Sequence, residues 1–312
     1  MSASRMSGGA PLKPCATLTR MLSPVGRMPS AFDTAPPVVR RGRSGETGSL
    51  VPAGEACLVP IQPRGSRRPF FLAAGGNGGD AELLIYARHA RFLSPAQPFY
   101  CLRALSVPPR LGPHAAVEAI AAGHLAEIRA VQPAGPYLLG GECIGGIVAL
   151  EMARQLRAQG EEVSLLCLLD TAPPALLLKL REQRKWAATR WRGTKRRITV
   201  LVRNATRIAR RRPLLTDPPA PPPNIRYALA TMRYQPQPSA ERITLLVSEE
   251  YHRADATLGW QPLAGGGVEV HLLPGTHETY IRQNVQAAGE CLRDCLERAQ
   301  SPRANGAART SR

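Results

Sequence analysis

Gly140-Gly141-Glu142-Cys143-Ile144-Gly145-Gly146 sets a thiol between paired glycines, directly after the apolar run Tyr137-Leu138-Leu139 and before a helix-like stretch from Ile147 to Gln159. A tight strand-to-helix turn forces its central residue into a strained backbone conformation. The residues two before and two after it must then be small, and Gly141 and Gly145 meet both demands. Such a turn exposes Sγ at a helix N-terminus, and a helix N-terminus together with a nearby imidazole favours a reactive thiolate. The pattern is short, and a buried structural cysteine is the alternative. Acyl transfer also requires donors for a tetrahedral oxyanion. Ala73-Ala74-Gly75-Gly76-Asn77-Gly78-Gly79, following the apolar Phe70 to Leu72, is the candidate loop. One N–H from Ile144 and one from Gly75 or Gly76 are the expected donors. A phosphate-binding role for this loop fails, because it has neither G-x-G-x-x-G spacing nor a P-loop lysine.

Two further residues complete a nucleophilic set. Val163 to Leu169 is a continuous apolar run, as expected of a strand buried on both faces of a parallel sheet, and it ends at Asp170. Val268 to Leu273 reads as another strand, with His277 on the loop Pro274-Gly275-Thr276-His277. The chain order nucleophile, acid, base is that of α/β-hydrolases, where the imidazole is the general base and the carboxylate fixes its tautomer. Taken singly, Asp170 also reads as a turn cap and His277 as a solvated loop residue. Strand and helix patterns alternate from residue 57 to 299, which predicts an α/β fold with a mostly parallel sheet covered on both faces. Helices are expected at about Ala81 to Leu93, Ala115 to Ala130, Ile147 to Gln159 and Glu278 to Arg298. In the last of these Ile281, Val285, Ala288, Leu292, Cys295 and Leu296 share one face. Cys291 and Cys295 read as core thiols there.

At this level of detail the chain resembles the thioesterase domains that release acyl or peptidyl chains from carrier proteins of non-ribosomal peptide and polyketide synthases. The likeness spans most of residues 55 to 300. It runs through Leu58 to Gln62, Arg68 to Leu72, Phe99 to Leu102, the Cys143 turn and Ala149 to Leu156, and continues at Arg233-Tyr234-Gln235-Pro236, Leu258-Gly259-Trp260 and the His277 loop. The resemblance implies an α/β-hydrolase fold with a helical lid insertion at about 173–226. It also implies a triad of Cys143, Asp170 and His277, and a carrier-protein or synthase-module partner whose phosphopantetheine holds the substrate. Some relatives carry the acid one strand later, where Glu249 and Glu250 stand here. Two departures are visible. The family's loop often begins His-Gly, where this chain has Ala74, and most members use serine where this chain has Cys143. An acyl-cysteine stays activated as a thioester, which suits transfer to an amine, alcohol or thiol, or ring closure, as well as hydrolysis. A dienelactone-type cysteine hydrolase of a small ester is an alternative on the same fold, and a non-catalytic carrier-docking or ligand-binding module is another. No cofactor and no metal are expected.

The formal charge of +18 over 312 residues is unevenly spread. Residues 1–50 carry seven basic and two acidic side chains, Lys179 to Arg212 fourteen and one, and residues 301–312 three and none. The remainder is slightly acidic. No nucleic-acid-binding motif accompanies the charge, so nucleic acid is not an expected partner. The basic segment lies in the lid insertion, together with Trp186, Trp191 and several aliphatic residues. One face of such a segment can cover an acyl chain while the other attracts an acidic carrier; contact with an anionic membrane surface is the alternative. Residues 1–54 and 301–312 are expected to be disordered tails flanking one catalytic domain. Residues 1–54 lack a secretory h-region, and no segment is long and apolar enough to span a bilayer. Seven cysteines without framework spacing point to a reducing compartment, the cytoplasm by default.

Overall fold

The computed structural model describes residues 57–75, 80–104, 111–176 and 223–301. The expected tails, Gly76 and most of the lid insertion lie outside these residues. Seven strands form one sheet: β1 (Leu58–Gln62), β2 (Phe70–Ala73), β3 (Phe99–Leu102), β4 (Tyr137–Glu142), β5 (Val163–Leu169), β6 (Ile243–Ser248) and β7 (Val268–Leu273). Their order is β1-β3-β2-β4-β5-β6-β7. β1 pairs antiparallel with β3, and every other pairing is parallel. The six described helices are α1 (Asp80–Ala90), α2 (Pro113–Val131), α3 (Gly145–Ala158), α4 (Pro223–Arg233), α5 (Glu249–Ala254) and α6 (Val285–Gln300). This is the expected α/β-hydrolase architecture.

Residues alternate between the two faces of a strand, so a strand covered by helices on both sides must be apolar at every position. β5 follows this rule: Leu166 and Leu168 join the core under α2 and α3, whereas Leu165, Cys167 and Leu169 join the core under α1 and α6. β2 divides in the same way, with Phe71 and Ala73 on the first face and Phe70 and Leu72 on the second. Because all the parallel strands point the same way, their carboxyl ends share one edge. Glu142, Leu169, Ser248 and Leu273 are the last residues of β4, β5, β6 and β7, and the functional candidates follow directly from three of these ends.

One expected element differs. The helix predicted from Glu278 begins only at Val285. Residues 277–283 form turns instead, closed by Tyr280 N–H to Thr276 O at 2.9 Å and Gln283 N–H to Thr279 O at 2.8 Å. Tyr280 and Ile281 are buried at this turn rather than on a helix face, which is how their apolar spacing mimics a helical period.

Among the described residues no helix is long and apolar enough to cross a membrane.

Candidate active site

Cys143 occupies the turn between β4 and α3 with φ of 51°. This left-handed conformation is uncommon for a residue with a side chain, and such strain concentrates at functional sites. The flanking glycines are required by space. A Cβ on Gly141 would lie 2.4 Å from Gly145 O, and one on Gly145 would lie 2.4 Å from Ala73 O and Ala74 O. The Cys143 N–H donates to Leu169 O at 2.9 Å, tying the turn to the end of β5. Asp170, one residue further on, has φ of 48° and is only 1% exposed.

Asp170 and His277 are 107 positions apart, yet Asp170 Oδ2 lies 2.9 Å from His277 Nδ1. The other carboxylate oxygen accepts from Ser248 N–H at 2.7 Å, so both oxygens are held and the imidazole is aimed. Glu250 does not take the ring. It accepts the His277 main-chain N–H at 3.0 Å, which makes it a support of the loop. Tyr251 stacks on the imidazole with centroids 4.8 Å apart and an interplanar angle of 14°. With Nδ1 committed to Asp170, Nε2 is left for Cys143; donor atoms of Cys143, His277 and Glu142 all lie within 4.8 Å of one another. Burial opposes charge on His277, but hydrogen bonds to Asp170 and Cys143 outweigh it and raise the imidazole from 6.5 to about 11. The site therefore favours imidazolium at neutral pH, the form that donates a proton to a leaving group.

Ile144 is the N-cap of α3, so its N–H stands outside the helix ladder and is available to an oxyanion. The loop after β2 is more constrained than its sequence implies. Ala74 N–H donates to Leu102 O at 3.0 Å, and Gly75 N–H donates to Tyr86 Oη at 3.1 Å. Gly75 can therefore serve an oxyanion only by releasing Tyr86, while Gly76 lies outside the described residues. α4 reaches the same loop through Tyr227, whose hydroxyl donates to Ala74 O at 3.4 Å.

Glu142 is a residue of this site that the sequence reading passed over. It precedes the nucleophile and is buried, with Tyr280 Oη donating to its Oε1 at 3.1 Å and Tyr86 Oη 3.4 Å from its Oε2. Tyr86 also lies 2.9 Å from Glu82 Oε1. A Cβ on Gly75 would come within 1.8 Å of Glu142 Oε2, so this carboxyl fills the space beside the oxyanion loop. Its only sequence signal was an acid in the variable position of the turn. Burial pushes the carboxyl up from 4.5 to about 7, against the opposing charge of His277. A carboxyl raised in this way binds its proton more tightly folded than unfolded, so its contribution is complete below about pH 4.5 and is lost as pH rises through about 7. Glu142→Gln removes that loss. Thermal melts at about pH 5 and pH 8 should show the variant gaining on the parent at the higher pH, by on the order of 1–3 kcal/mol. Equal pH slopes would show that Glu142 does not titrate in this range.

The family model of the thioesterase domain matches residues 75–295. Atromentin synthetases of Paxillus involutus and Suillus grevillei are 34% and 33% identical over 116 residues, which is 37% of this chain and 12% of each relative. The chain thus aligns with only a small part of those proteins. The thioesterase domain NocB, solved in covalent complex with a fluorophosphonate nocardicin G analog, is 26% identical and is matched over 79% of this chain and all of that one, with a TM-score of 0.53. A four-domain nonribosomal peptide synthetase bound to AMP and glycine shares the fold, with 23% identity over 77% of this chain and 20% of its own, and a TM-score of 0.55.

Proposed function

Because the chain belongs to the thioesterase domain family, we propose that it releases an acyl or peptidyl chain from the pantetheine thioester of a carrier protein or synthase module, through an acyl-Cys143 intermediate. The observation that carries this reading is the Asp170–His277 pair at 2.9 Å, beside a Cys143 held in a strained turn at the start of α3. The Cys143 thiolate attacks the thioester carbonyl and forms the C–S bond. Ile144 N–H and a loop donor hold the oxyanion, and His277 gives its proton to the departing pantetheine sulfur. His277, now neutral, takes a proton from water, an amine or an alcohol as that group attacks the acyl-cysteine, and Cys143 leaves as thiolate. Because acyl-cysteine and pantetheine thioester are nearly isoenergetic, the captured acyl group remains competent for transfer and ring closure as well as hydrolysis. No cofactor is required for any of these steps.

Similarity to synthetases supports a synthase setting for the partner. The basic stretch Lys179 to Arg212, outside the described residues, has the charge to attract an acidic carrier and its phosphopantetheine phosphate. If it does so, loading from a carrier slows as salt rises while loading from free acyl-pantetheine does not; salt-insensitive loading from the carrier would remove that role. The decisive experiment is intact-mass spectrometry of the wild-type protein incubated with acyl-pantetheine thioesters, with products identified with and without added amines. An acyl adduct on Cys143 is expected. Turnover of a small lactone with no adduct from any thioester would favour a lactone hydrolase.

A further inference from the structure

A second convergent set of reactive side chains lies away from Cys143, where β7 and α6 pack together. His271 is on β7, and Cys291 and Cys295 stand on consecutive turns of α6. Spacing of four residues puts both thiols on one helix face, and that face meets His271. A donor atom from each of the three lies within 4.8 Å of the others, and the residues are 5%, 1% and 2% exposed. The reading of Cys291 and Cys295 as simple core thiols had no way to include His271, which comes from another element.

We propose that His271, Cys291 and Cys295 form a binding site for a single soft divalent cation of the Zn2+ class, two thiolates and one imidazole clamping α6 to β7. The donor types are those Zn2+ selects; tetrahedral bonds of about 2.0–2.3 Å set donors roughly 3.3–3.8 Å apart, so side chains already within 4.8 Å of one another need only small rotations to close on a cation. Metal-ligating histidines usually have the second ring nitrogen held by a carboxylate. Here Glu269 Oε1 lies 3.0 Å from His271 Nε2, which leaves Nδ1 for the cation. Arg298 Nη2 donates to Glu269 Oε1 at 3.2 Å and lies 3.4 Å from Cys295 Sγ, and Arg242 Nη2 donates to Glu269 Oε2 at 3.2 Å. A divalent cation with two thiolates is neutral as a group, which lowers the cost of burial. Each ligating thiol releases its proton to solvent when the metal binds. β7 and α6 bracket residues 274–284, the segment that carries His277, so the clamp closes the base of the catalytic loop.

The test uses the full chain carrying Cys143→Ala, so that the active-site thiol cannot ligate, freed of metal and titrated with Co2+ and then Zn2+. Expected are a single Co2+ per chain with thiolate-to-cobalt charge-transfer absorption, displacement by Zn2+ with proton release, and a higher melting temperature. Glu269→Gln should weaken binding by roughly 10–100-fold. Cys291→Ser with Cys295→Ser should abolish the absorption while far-UV circular dichroism stays native. A folded Cys143→Ala protein without that absorption at saturating Co2+ overturns the site, whether or not the double variant folds. Absorption that survives in a folded double variant also overturns it. Peptide mapping that finds a Cys291–Cys295 disulfide formed and kept in air despite excess Zn2+ overturns it too, and makes the pair a redox couple.

Discussion

Cys143→Ala is expected to lower turnover of an acyl-pantetheine thioester by at least about 10⁴-fold and to abolish the acyl adduct, because members of a nucleophile–base–acid unit fail together when the nucleophile is removed. No other described cysteine is placed to replace it. Among the described residues the other cysteines, Cys57, Cys101, Cys167, Cys291 and Cys295, are all buried. Burial pushes the Cys101 thiol, on β3 with β2 between it and β4, well above its ordinary range. The remaining rate should come from binding and from the oxyanion donors, which the substitution leaves in place. Alanine fits the turn at least as well as cysteine, so the loss is not one of folding; an unchanged melting temperature beside lost turnover in single-turnover assays would confirm this. Turnover close to wild type would remove Cys143 from the chemistry. Cys143→Ser gives the complementary result. The serine variant should still form an adduct, now a lower-energy oxyester, and should lose more of its transfer to amines than of its hydrolysis.

Asp170→Asn should lower kcat by about 10⁴-fold with little change in fold, the size of effect expected when a triad carboxylate becomes an amide. The geometry gives the reason. One Asp170 oxygen accepts from Ser248 N–H and the other faces His277 Nδ1. An asparagine keeps its oxygen on Ser248 N–H and turns its amide N–H toward Nδ1. That imposes the wrong tautomer and withdraws the charge that supports imidazolium. The pH dependence should move in a defined direction. In the parent, His277 is raised to about 11, so its proton is present at neutral pH and is lost only as pH rises through that value. Without the carboxylate the imidazole releases its proton at lower pH, and the alkaline limb of the kcat profile moves toward acid. Glu250→Gln provides the contrast, since Glu250 meets His277 at the main-chain N–H and not at the ring nitrogen that Asp170 holds; its effect should be far smaller and should leave the limb in place. Equal losses in the two variants would transfer the acid's role to Glu250.

Much of the edge that carries the candidate site was legible locally. Continuous apolar runs announced strands buried on two faces because β5 and β2 place alternate residues into two cores. The paired glycines announced the turn at Cys143 because a Cβ on either Gly141 or Gly145 would meet backbone oxygen at 2.4 Å, which leaves no room for a side chain. These signals depend on neighbours a few positions apart, and the residues carry them wherever the strand lies in the sheet. Asp170 and His277 were visible as residues after strands, but whether Asp170, Glu249 or Glu250 faced the ring was not. That choice depends on β5 lying beside β6, a contact between segments about 80 residues apart, where Ser248 N–H orients Asp170.

The apolar spacing after Glu278 was misleading, because a buried turn and a helix face can present the same side chains to a core. Only tertiary packing sealed Glu142 between Tyr86 and Tyr280, committed Gly75 N–H to Tyr86, and brought His271 to the thiols of α6. Short-range sequence determines which residues must turn, alternate or be small. The partners of a buried acid, imidazole or thiol come from other elements, so the chemistry each group can do is decided when the sheet and its helices assemble.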